Sequence, residues 1–324
     1  MYMMRFDLRA PEGTTPPSEL YATAIEMAAW AETRGAVAIA LSEHHGSSDG
    51  YIPSPLMMAG AIATHTETVP ILIAASLFLF SDPVRLAEDM VVLDHLSKGR
   101  VSHVLGVGYR PEEFAMFGLD INKRGALADE RLGVLKQAFT GEPFEYQGRK
   151  VHVTPAPFTP GGPTLAYGGG SAAAARRAGR HGLDFFAQTN LPELEPAYRE
   201  ACAEAGHEPG SCTLADPEMP SIVFVADDLD AAWNELGSYM LHDARMYSSW
   251  NPGNSHTASL SHAESVDELR AEKRAHQIFT VDEAVEYVKT AGLLPLHPLI
   301  GGLPPKVAWP YLERIVDKVL PALS

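Results

Sequence analysis

One pattern recurs along the chain and restricts its fold more than any other feature: a short apolar run, a polar or glycine-containing loop, and an amphipathic helix. The apolar runs predict eight strands, at Met4–Leu8, Val37–Leu41, Ile71–Ala75, Val101–Val107, Thr164–Tyr167, Leu183–Ala187, Ile222–Ala226 and Leu294–Ile300. The other segments predict eight helices, at Ser18–Thr33, Pro55–His65, Pro83–Leu96, Ala126–Phe139, Ala172–His181, Pro192–Ala205, Leu229–Met240 and Val307–Leu320. Eight alternating pairs favour an α/β fold, a (β/α)8 TIM-type barrel, over an open doubly wound sheet.

Two segments interrupt this alternation. Thr140 to Pro163 is rich in proline and glycine and contains a short extended piece, Lys150–Val153, so it predicts a long loop or a small hairpin. Asp243 to Gln277 is polar and turn-prone and then becomes a charged helical stretch. Insertions of this length are usually functional or disordered, and we expect a mobile lid over one mouth of the barrel. Residues 1–324 are predicted to form a single domain.

The charge balance and the hydropathy of the chain restrict its partners and location. With 25 Lys and Arg against 41 Asp and Glu, the formal net charge is −16, which disfavours nucleic acid and anionic membrane surfaces as partners. The longest apolar run, Val69–Phe80, is too short to span a bilayer. The first residues do not resemble a signal peptide, so we expect a cytoplasmic protein. Cys202 and Cys212 lack the spacing of zinc ligands and are expected to be reduced and incidental.

Three ionisable residues, Glu43, His44 and His45, directly follow the second predicted strand. Loops at the carboxyl ends of barrel strands carry the chemistry of this class of enzyme, and imidazole is the natural proton carrier near neutral pH. Neighbouring residues at a strand end point to opposite sides, so the two histidines are not expected to share one role. A surface loop without function remains an alternative. A metal site lacks support, because neither His-x-His nor His-Glu-x-x-His occurs here.

A glycine-rich turn follows the fifth predicted strand. Gly168, Gly169 and Gly170 let the backbone approach a ligand closely, Ser171 can cap the next helix, and the N–H groups at the start of that helix can bind a phosphate. The spacing matches neither the Walker A motif nor the dinucleotide fingerprint, and an ordinary turn is the alternative. The arginines at 176, 177 and 180 are more than a turn away and are expected to stabilise the C-terminal end of the helix or to form surface ion pairs.

Small residues end the third and fourth predicted strands, in Ile73–Ser76 and Val104–Tyr109. Small side chains at neighbouring barrel mouths leave room for a flat ligand against the backbone. Together with the phosphate site on the same rim, they predict a bulky phosphorylated cofactor.

Several of these motifs occur together and in an order that resembles the bacterial luciferase-like flavin monooxygenase family, in particular the luciferase α chain. The resemblance covers nearly the whole chain. It depends on Glu43–His45, Ala74–Ala75, Asp82–Asp89, Leu93–Arg100, Phe114, Phe117–Gly118, the Ser171 turn and Gly301–Pro305.

The resemblance implies a (β/α) barrel with a lid, usually assembled as a dimer. It implies reduced FMN, supplied by a separate NAD(P)H-dependent flavin reductase, which reacts with O2 to oxidise a small organic substrate. His44 would lie near the reactive face of the flavin, with Glu43 and His45 as its support. Ala74 and Ala75 match the place of a non-proline cis peptide behind the isoalloxazine ring. Gly169, Gly170, Ser171 and Ala172 match the phosphate-binding turn.

One departure leaves the cofactor open. Gly106 and Val107 stand where the luciferase α chain has a cysteine and an arginine, so a charged phosphate contact is missing and bioluminescence is not expected. The family also includes enzymes that use a deazaflavin coenzyme for hydride transfer, and a non-catalytic flavin-binding protein is a further alternative. His44 favours FMN. The substrate depends on lid and pocket side chains: Phe78, Phe80, Tyr109, Tyr247 and Trp250.

Overall fold

A computed structural model describes residues 1–254 and 256–323. Its strands are β1 (Tyr2–Phe6), β2 (Ala36–Leu41), β3 (Ile71–Ser76), β4 (Val101–Leu105), β5 (Phe144–Tyr146), β6 (Arg149–Val151), β7 (Thr164–Gly168), β8 (Asp184–Ala187), β9 (Cys212–Leu214), β10 (Ile222–Val225), β11 (His276–Phe279) and β12 (Leu294–Leu296). Its helices are α1 (Pro17–Glu32), α2 (Pro55–His65), α3 (Pro83–Ser97), α4 (Pro111–Met116), α5 (Arg124–Ala138), α6 (Ala172–Arg180), α7 (Leu194–Ala205), α8 (Leu229–Trp250), α9 (Val266–Glu272), α10 (Val281–Ala291) and α11 (Pro305–Arg314).

Ten of the strands form one parallel sheet in the order β11-β10-β12-β1-β2-β3-β4-β7-β8-β9. Because β12 pairs with β1, the sheet brings the last strand of the chain back beside the first. Helices connect β1 through β4, so these neighbours are joined by the helical crossovers that parallel strands require. Within the described residues no pairing joins the two end strands, β9 and β11. The alternating strands and helices confirm the predicted α/β class.

The strands separate a helix-facing side of the sheet from the side that faces its interior. Tyr2, Met4 and Phe6 of β1 belong to the same hydrophobic core as Leu20 and Met27 of α1. Because side chains alternate along a strand, Arg5 must face the opposite side, toward the interior. A second core packs α3, α5, α6 and α7 around β4, β7 and β8.

All eight predicted strands overlap observed strands, but three of the predictions extend two or more residues beyond the carboxyl end of the observed strand. The first strand ends at Phe6, because Leu8 has a left-handed backbone with φ 54°. The fourth strand ends at Leu105, so Gly106 and Val107 lie in the loop that follows. The last ends at Leu296. Asp7 and Arg9 therefore lie at the mouth of the sheet and not inside a strand.

The segments predicted to interrupt the alternation are more ordered than expected. Within 140–163, β5 and β6 form the antiparallel hairpin that was one of the two predicted outcomes. The helix predicted to end at Met240 continues to Trp250, since Ala244 is buried and the partly buried Tyr247 packs against the same core. The predicted lid, Asp243–Gln277, therefore starts as helix, continues through α9 and ends inside β11. Ser255 of this segment lies outside the described residues. Among the described residues, no helix combines the length and apolarity needed to cross a membrane.

Candidate functional site

The predicted site residues lie at one edge of the sheet. Glu43–His45 follow β2, Ala74–Ala75 end β3, Gly106–Val107 follow β4, and Gly169–Ala172 follow β7. These four strands are consecutive neighbours in the parallel sheet, so their carboxyl ends share an edge. The structure therefore brings together groups that are separated by up to about two fifths of the sequence.

His44 is buried and is held by a carboxylate from α4. Its Nδ1 lies 2.8 Å from Oε1 of Glu113, and the same oxygen accepts a hydrogen bond of 2.9 Å from the backbone N–H of His45. A carboxylate at Nδ1 favours the tautomer with the proton on Nδ1, which leaves the lone pair on Nε2. Burial lowers the pKa of His44, and the hydrogen bond to Glu113 opposes this effect only in part. A neutral His44 can therefore accept a proton at Nε2.

Glu43 and His45 form a second, separate pair beside His44. Nε2 of His45 lies 2.9 Å from Oε1 of Glu43, while Oε2 of Glu43 accepts a hydrogen bond of 2.7 Å from the backbone N–H of Leu77. Glu43 therefore connects the loop after β2 to the end of β3. The ring of His45 packs against Phe80 and Phe117. The two histidines have different partners, which agrees with the expectation that they have different roles.

The ends of β3 and β4 approach each other closely. The peptide bond between Ala74 and Ala75 is cis, at the position that the resemblance implied. A Cβ atom on Gly106 would lie 2.8 Å from the Cβ of Ala75, and the N–H of Gly106 donates to the carbonyl of Ser76 at 2.8 Å. Only glycine fits at position 106 without a shift of its neighbours. The side chain of Val107 packs against the second hydrophobic core.

The glycine-rich turn has the features of an anion site. Oγ of Ser171 accepts a hydrogen bond of 3.3 Å from the N–H of Ala174 and caps α6. A Cβ on Gly169 would lie 2.6 Å from the Cβ of Ala174, and one on Gly170 would lie 3.2 Å from Cγ2 of Thr189. Oγ1 of Thr189 is buried without a hydrogen-bond partner. The free N–H groups at the start of α6 and this hydroxyl suit a phosphate.

Two of the three arginines of α6, Arg177 and Arg180, form ion pairs, as predicted. Nε of Arg177 lies 2.9 Å from Oδ1 of Asp129, and Nη2 of Arg180 lies 3.5 Å from the same oxygen. Asp129 belongs to α5. These ion pairs direct both guanidinium groups toward α5.

Sequence reasoning missed Arg110 and Glu113, the charged residues that organise His44. Nη1 of Arg110 donates to the carbonyl of His45 at 2.9 Å and lies 3.3 Å from Oε1 of Glu113. Both residues follow β4, and α4 begins directly after Arg110. Their position after a strand was an available signal, since it is the same signal that identified Glu43–His45.

A second missed cluster surrounds Arg9, whose side chain is fully buried. Nε of Arg9 donates to Asp7 at 3.1 Å and Nη1 donates to Asp49 at 2.5 Å, while Oδ1 of Asp243 lies 3.5 Å from Nε. Burial raises the pKa values of Asp7 and Asp49, but His297 beside Asp7 and His242 beside Asp49, together with Arg9, hold both well below their usual range. Asp7, Asp243 and His297 also place possible metal-ligand atoms within 4.8 Å of one another. The guanidinium group of Arg9 already balances the negative charges of Asp7 and Asp243.

Four aromatic rings surround His44. Measured between ring centroids, Trp250 lies at 4.7 Å, Tyr51 at 4.9 Å, Tyr109 at 5.6 Å and Tyr247 at 6.2 Å. The hydroxyl of Tyr109 lies 3.4 Å from Nε2 of His44. Tyr247 and Trp250 come from the end of α8, so the segment predicted as a lid supplies part of the site. Its movement stays a prediction.

Of the five pocket residues that the sequence suggested, four lie beside His44 or His45, and the fifth, Phe78, does not. Tyr109, Tyr247 and Trp250 contact His44, and Phe80 contacts His45. Phe78 is buried in the second hydrophobic core, with its ring centroid 6.4 Å from that of Tyr167. Phe78 therefore stabilises the fold and does not line the site.

Two relatives of known activity resemble parts of the chain. The alkanal monooxygenase alpha chain of Photorhabdus luminescens is 30% identical over 178 residues, which cover 52% of this chain and 49% of that relative. This match thus spans about half of the relative's length. The 4-hydroxyprotoasukamycin monooxygenase of Streptomyces nodosus subsp. asukaensis is 25% identical over 300 residues, which cover 86% of this chain and 78% of that relative.

Solved structures share the fold over the full chain. The oxygenating constituent of 3,6-diketocamphane monooxygenase from Pseudomonas putida, solved in complex with FMN, has a TM-score of 0.72 at 18% identity and covers 100% of this chain and 99% of its own. An F420-dependent secondary alcohol dehydrogenase has a TM-score of 0.68 at 16% identity, covering 100% and 99%. The fold is accordingly of the luciferase-like, TIM-barrel type. The model of the luciferase-like monooxygenase family matches residues 2–295, and the chain belongs to that family.

Proposed function

We propose that the protein is a flavin-dependent monooxygenase that uses reduced FMN and O2 to oxidise a small organic substrate. The observation that carries this proposal is the buried His44, whose pKa is lowered by burial and whose Nδ1 is held by Glu113 so that the lone pair lies on Nε2, in a member of the luciferase-like monooxygenase family. A positioned imidazole that accepts or returns a proton is typical of general acid–base catalysis.

The flavin ring would lie against the cis peptide of Ala74 and Ala75 and beside Gly106, where the absence of a side chain leaves the backbone open. Its phosphate would contact the turn of Gly169, Gly170, Ser171 and Ala172. The buried hydroxyl of Thr189 supports this assignment, because a phosphate oxygen would supply the acceptor that it lacks. Reduced flavin supplies the electrons with which oxygen is activated.

The residues of the chain would then have separate tasks. His44 would hold or move a proton at Nε2, while Glu113 fixes its tautomer and orientation. Glu43 and His45 would keep the loop after β2 attached to β3. Tyr109, Tyr247 and Trp250 would exclude water from the region of His44, which protects reactive species from side reactions.

We further propose a cytoplasmic homodimer that receives its reduced flavin from a separate NAD(P)H-dependent reductase. In support of a dimer, α2 and α3 pack together and expose three large apolar side chains, Met57 at 77%, Val92 at 49% and Leu96 at 48%. Exposed apolar side chains grouped on one surface commonly mark an interface. Sedimentation of the protein and of Leu96→Lys tests this: the variant should be monomeric if the two helices form the interface.

One alternative has support of its own, a deazaflavin-dependent oxidoreductase that transfers hydride without oxygen. Gly106 and Val107 leave the flavin site without the arginine that contacts the phosphate in the luciferase α chain, and the fold is shared with an F420-dependent dehydrogenase. A non-catalytic flavin-binding protein is the third reading.

Two measurements distinguish these three hypotheses. The protein is titrated with reduced FMN and with a reduced deazaflavin, and the absorbance of each cofactor is followed under oxygen and under argon. A monooxygenase binds reduced FMN and consumes oxygen when a reductase and NAD(P)H are supplied. Tighter binding of the deazaflavin, without oxygen uptake, supports the hydride-transfer enzyme and contradicts our proposal. FMN binding without oxygen uptake would support the non-catalytic protein.

A further inference from the structure

The indole ring of Trp250 occupies a place beside two buried arginines. Cζ of Arg110 lies 4.2 Å from the ring centroid and Cζ of Arg9 lies 4.8 Å from it. The ring of His44 lies 4.7 Å away, also measured to the centroid. Cations over an aromatic face are attracted by the ring quadrupole, and they prefer electron-rich rings. Any molecule that reacts near Nε2 of His44 must therefore share this space with the indole or replace it.

The indole leaves two buried donors without an acceptor. Nη2 of Arg9 and Nε of Arg110 have no hydrogen-bond partner, although the two residues are only 0% and 7% exposed. An unpaired buried donor costs about 1–3 kcal/mol. Indole carries an N–H donor and no acceptor, so Trp250 cannot pair with these groups. A ring that also carries an oxygen would keep the contact with the cations and supply the missing acceptor.

The charges around the two arginines decide which kind of oxygen fits. Arg9 is faced by the carboxylates of Asp7, Asp49 and Asp243, and Arg110 is paired with Glu113. Their positive charge is already compensated, so an additional carboxylate would meet like charges at close range. A neutral hydroxyl or carbonyl oxygen avoids this repulsion and still accepts a hydrogen bond.

Trp250 is placed where it can leave without disruption of the helix. It is the last residue of α8 and lies within the segment that was predicted as a lid, Asp243–Gln277. Asn251 of this segment donates to Tyr109 at 3.4 Å, so the helix end and the loop after β4 meet above His44.

We propose that the substrate is a neutral, planar aromatic molecule that carries an oxygen, a phenol or an aryl ketone, and that it replaces the indole of Trp250 beside Arg9 and Arg110. This inference rests on the proposed function, because it names the substrate class of that site. In the absence of substrate, the indole of Trp250 fills this position beside Arg9 and Arg110 and excludes water from it.

The test measures binding without flavin, by calorimetry, with four probes: 2-naphthol, naphthalene, 2-naphthoate and decahydro-2-naphthol. We expect 2-naphthol to bind the unaltered protein most tightly, by about tenfold over each of the others. Naphthalene has no oxygen, 2-naphthoate carries a negative charge, and decahydro-2-naphthol has no aromatic ring. Trp250→Ala should tighten the binding of 2-naphthol by about tenfold, because the competing indole is gone. Trp309→Ala, at a ring that packs against Trp30, is the matched control and should leave this binding unchanged.

Each opposite result overturns a definite part of the inference. If decahydro-2-naphthol binds as tightly as 2-naphthol, the substrate need not be aromatic. If 2-naphthoate binds more tightly than 2-naphthol, the substrate need not be neutral. Unchanged or weaker binding of 2-naphthol to Trp250→Ala shows that the indole does not occupy the substrate position. The ranking of probes on the unaltered protein needs no variant, so a poorly folded variant leaves the test intact. Failure to bind FMN, with the probe ranking retained, contradicts the proposed function alone.

Discussion

Nδ1 of His44 lies 2.8 Å from Oε1 of Glu113, a buried pair whose members are 69 residues apart in the sequence. The same carboxylate oxygen also receives the N–H of His45 and lies 3.3 Å from Arg110. A single carboxylate therefore fixes the imidazole, the backbone beside it and a guanidinium group. This arrangement suits a histidine that works in one orientation and through one nitrogen.

The first prediction concerns His44. In His44→Ala the group proposed to move the proton is lost, and we expect turnover to fall by about 10²- to 10⁴-fold, the range typical of general acid–base groups. Because the loss of the buried imidazole leaves a cavity, the melting temperature should also fall, so turnover is compared at a temperature at which circular dichroism shows the variant to be folded. His152→Ala, at an exposed histidine directly after β6, serves as the control. Near-normal oxygen uptake by His44→Ala would contradict the role in proton transfer that is assigned to this residue.

The second prediction concerns Glu113 as a positioning residue. Glu113→Gln keeps an acceptor for Nδ1 but replaces a charged hydrogen bond by a neutral one, so kcat should fall about tenfold with little change in KM. Glu113→Ala would leave Arg110 without its partner and should destabilise the fold by about 3–5 kcal/mol. Urea denaturation separates this structural loss from the catalytic effect.

The pH profile gives Glu113 a readout that a purely structural role would not move. Burial lowers the pKa of His44 below its ordinary value of 6.5, while Glu113 raises it in part. Because the neutral imidazole is the active form, the acidic limb of kcat/KM should lie below pH 6.5. Removal of the carboxylate charge in Glu113→Gln should shift this limb to still lower pH. A shift toward higher pH would contradict the assignment.

How much of this site the sequence could predict depends on how far apart its parts are. Glu43, His44 and His45 stand next to an apolar run, and the local pattern was sufficient to single them out. Glu113 meets His44 only because β2, β3 and β4 are neighbours in the sheet, so their pairing is a property of the tertiary fold. Arg9 likewise meets Asp49 and Asp243 through long-range packing.

The elements that the sequence did not predict have short or interrupted patterns. β9 and β11 contain three and four residues of mixed polarity, whereas equally short strands such as β10 and β12 lie in apolar runs and were predicted. The helix α10 was not predicted, because the charged stretch before it was assigned to the lid. Its capping box of Thr280 and Glu283 marks its start. The eight-fold alternation was nevertheless sufficient for the class of fold.

The third prediction separates the cap of α6 from phosphate binding. Ser171→Ala removes the hydroxyl that accepts from Ala174, and the loss of an N-cap costs about 0.5–2 kcal/mol of stability. Ser265→Ala removes the corresponding cap of α9 and should cost a similar amount. Only the change at Ser171 should also weaken FMN binding in a fluorescence titration. Equal FMN affinity of both variants would place the phosphate elsewhere.

The fourth prediction tests the close approach at Gly106. In Gly106→Ala the new Cβ would lie 2.8 Å from the Cβ of Ala75, so we expect a loss of about 1–3 kcal/mol in stability and weaker flavin binding. Gly133→Ala is the control, because a Cβ in that helix meets nothing within 4 Å and alanine should stabilise it by about 0.5–1 kcal/mol. Unaltered stability of Gly106→Ala, measured by urea denaturation, would contradict the contact.

The fifth prediction concerns His103, a histidine of β4 that is 1% exposed and whose two ring nitrogens have no hydrogen-bond partner. Burial lowers its pKa from 6.5 to about 4. Between these two values the unfolded chain binds a proton that the folded chain does not, so stability must fall as the pH drops through this window, by at most about 3 kcal/mol. In His103→Leu this part of the pH dependence should disappear, whereas the exposed control His256→Leu should retain it. The measurement is the free energy of unfolding in urea at pH 7.5 and pH 5, and an equal drop in both variants would show that His103 is not the group responsible.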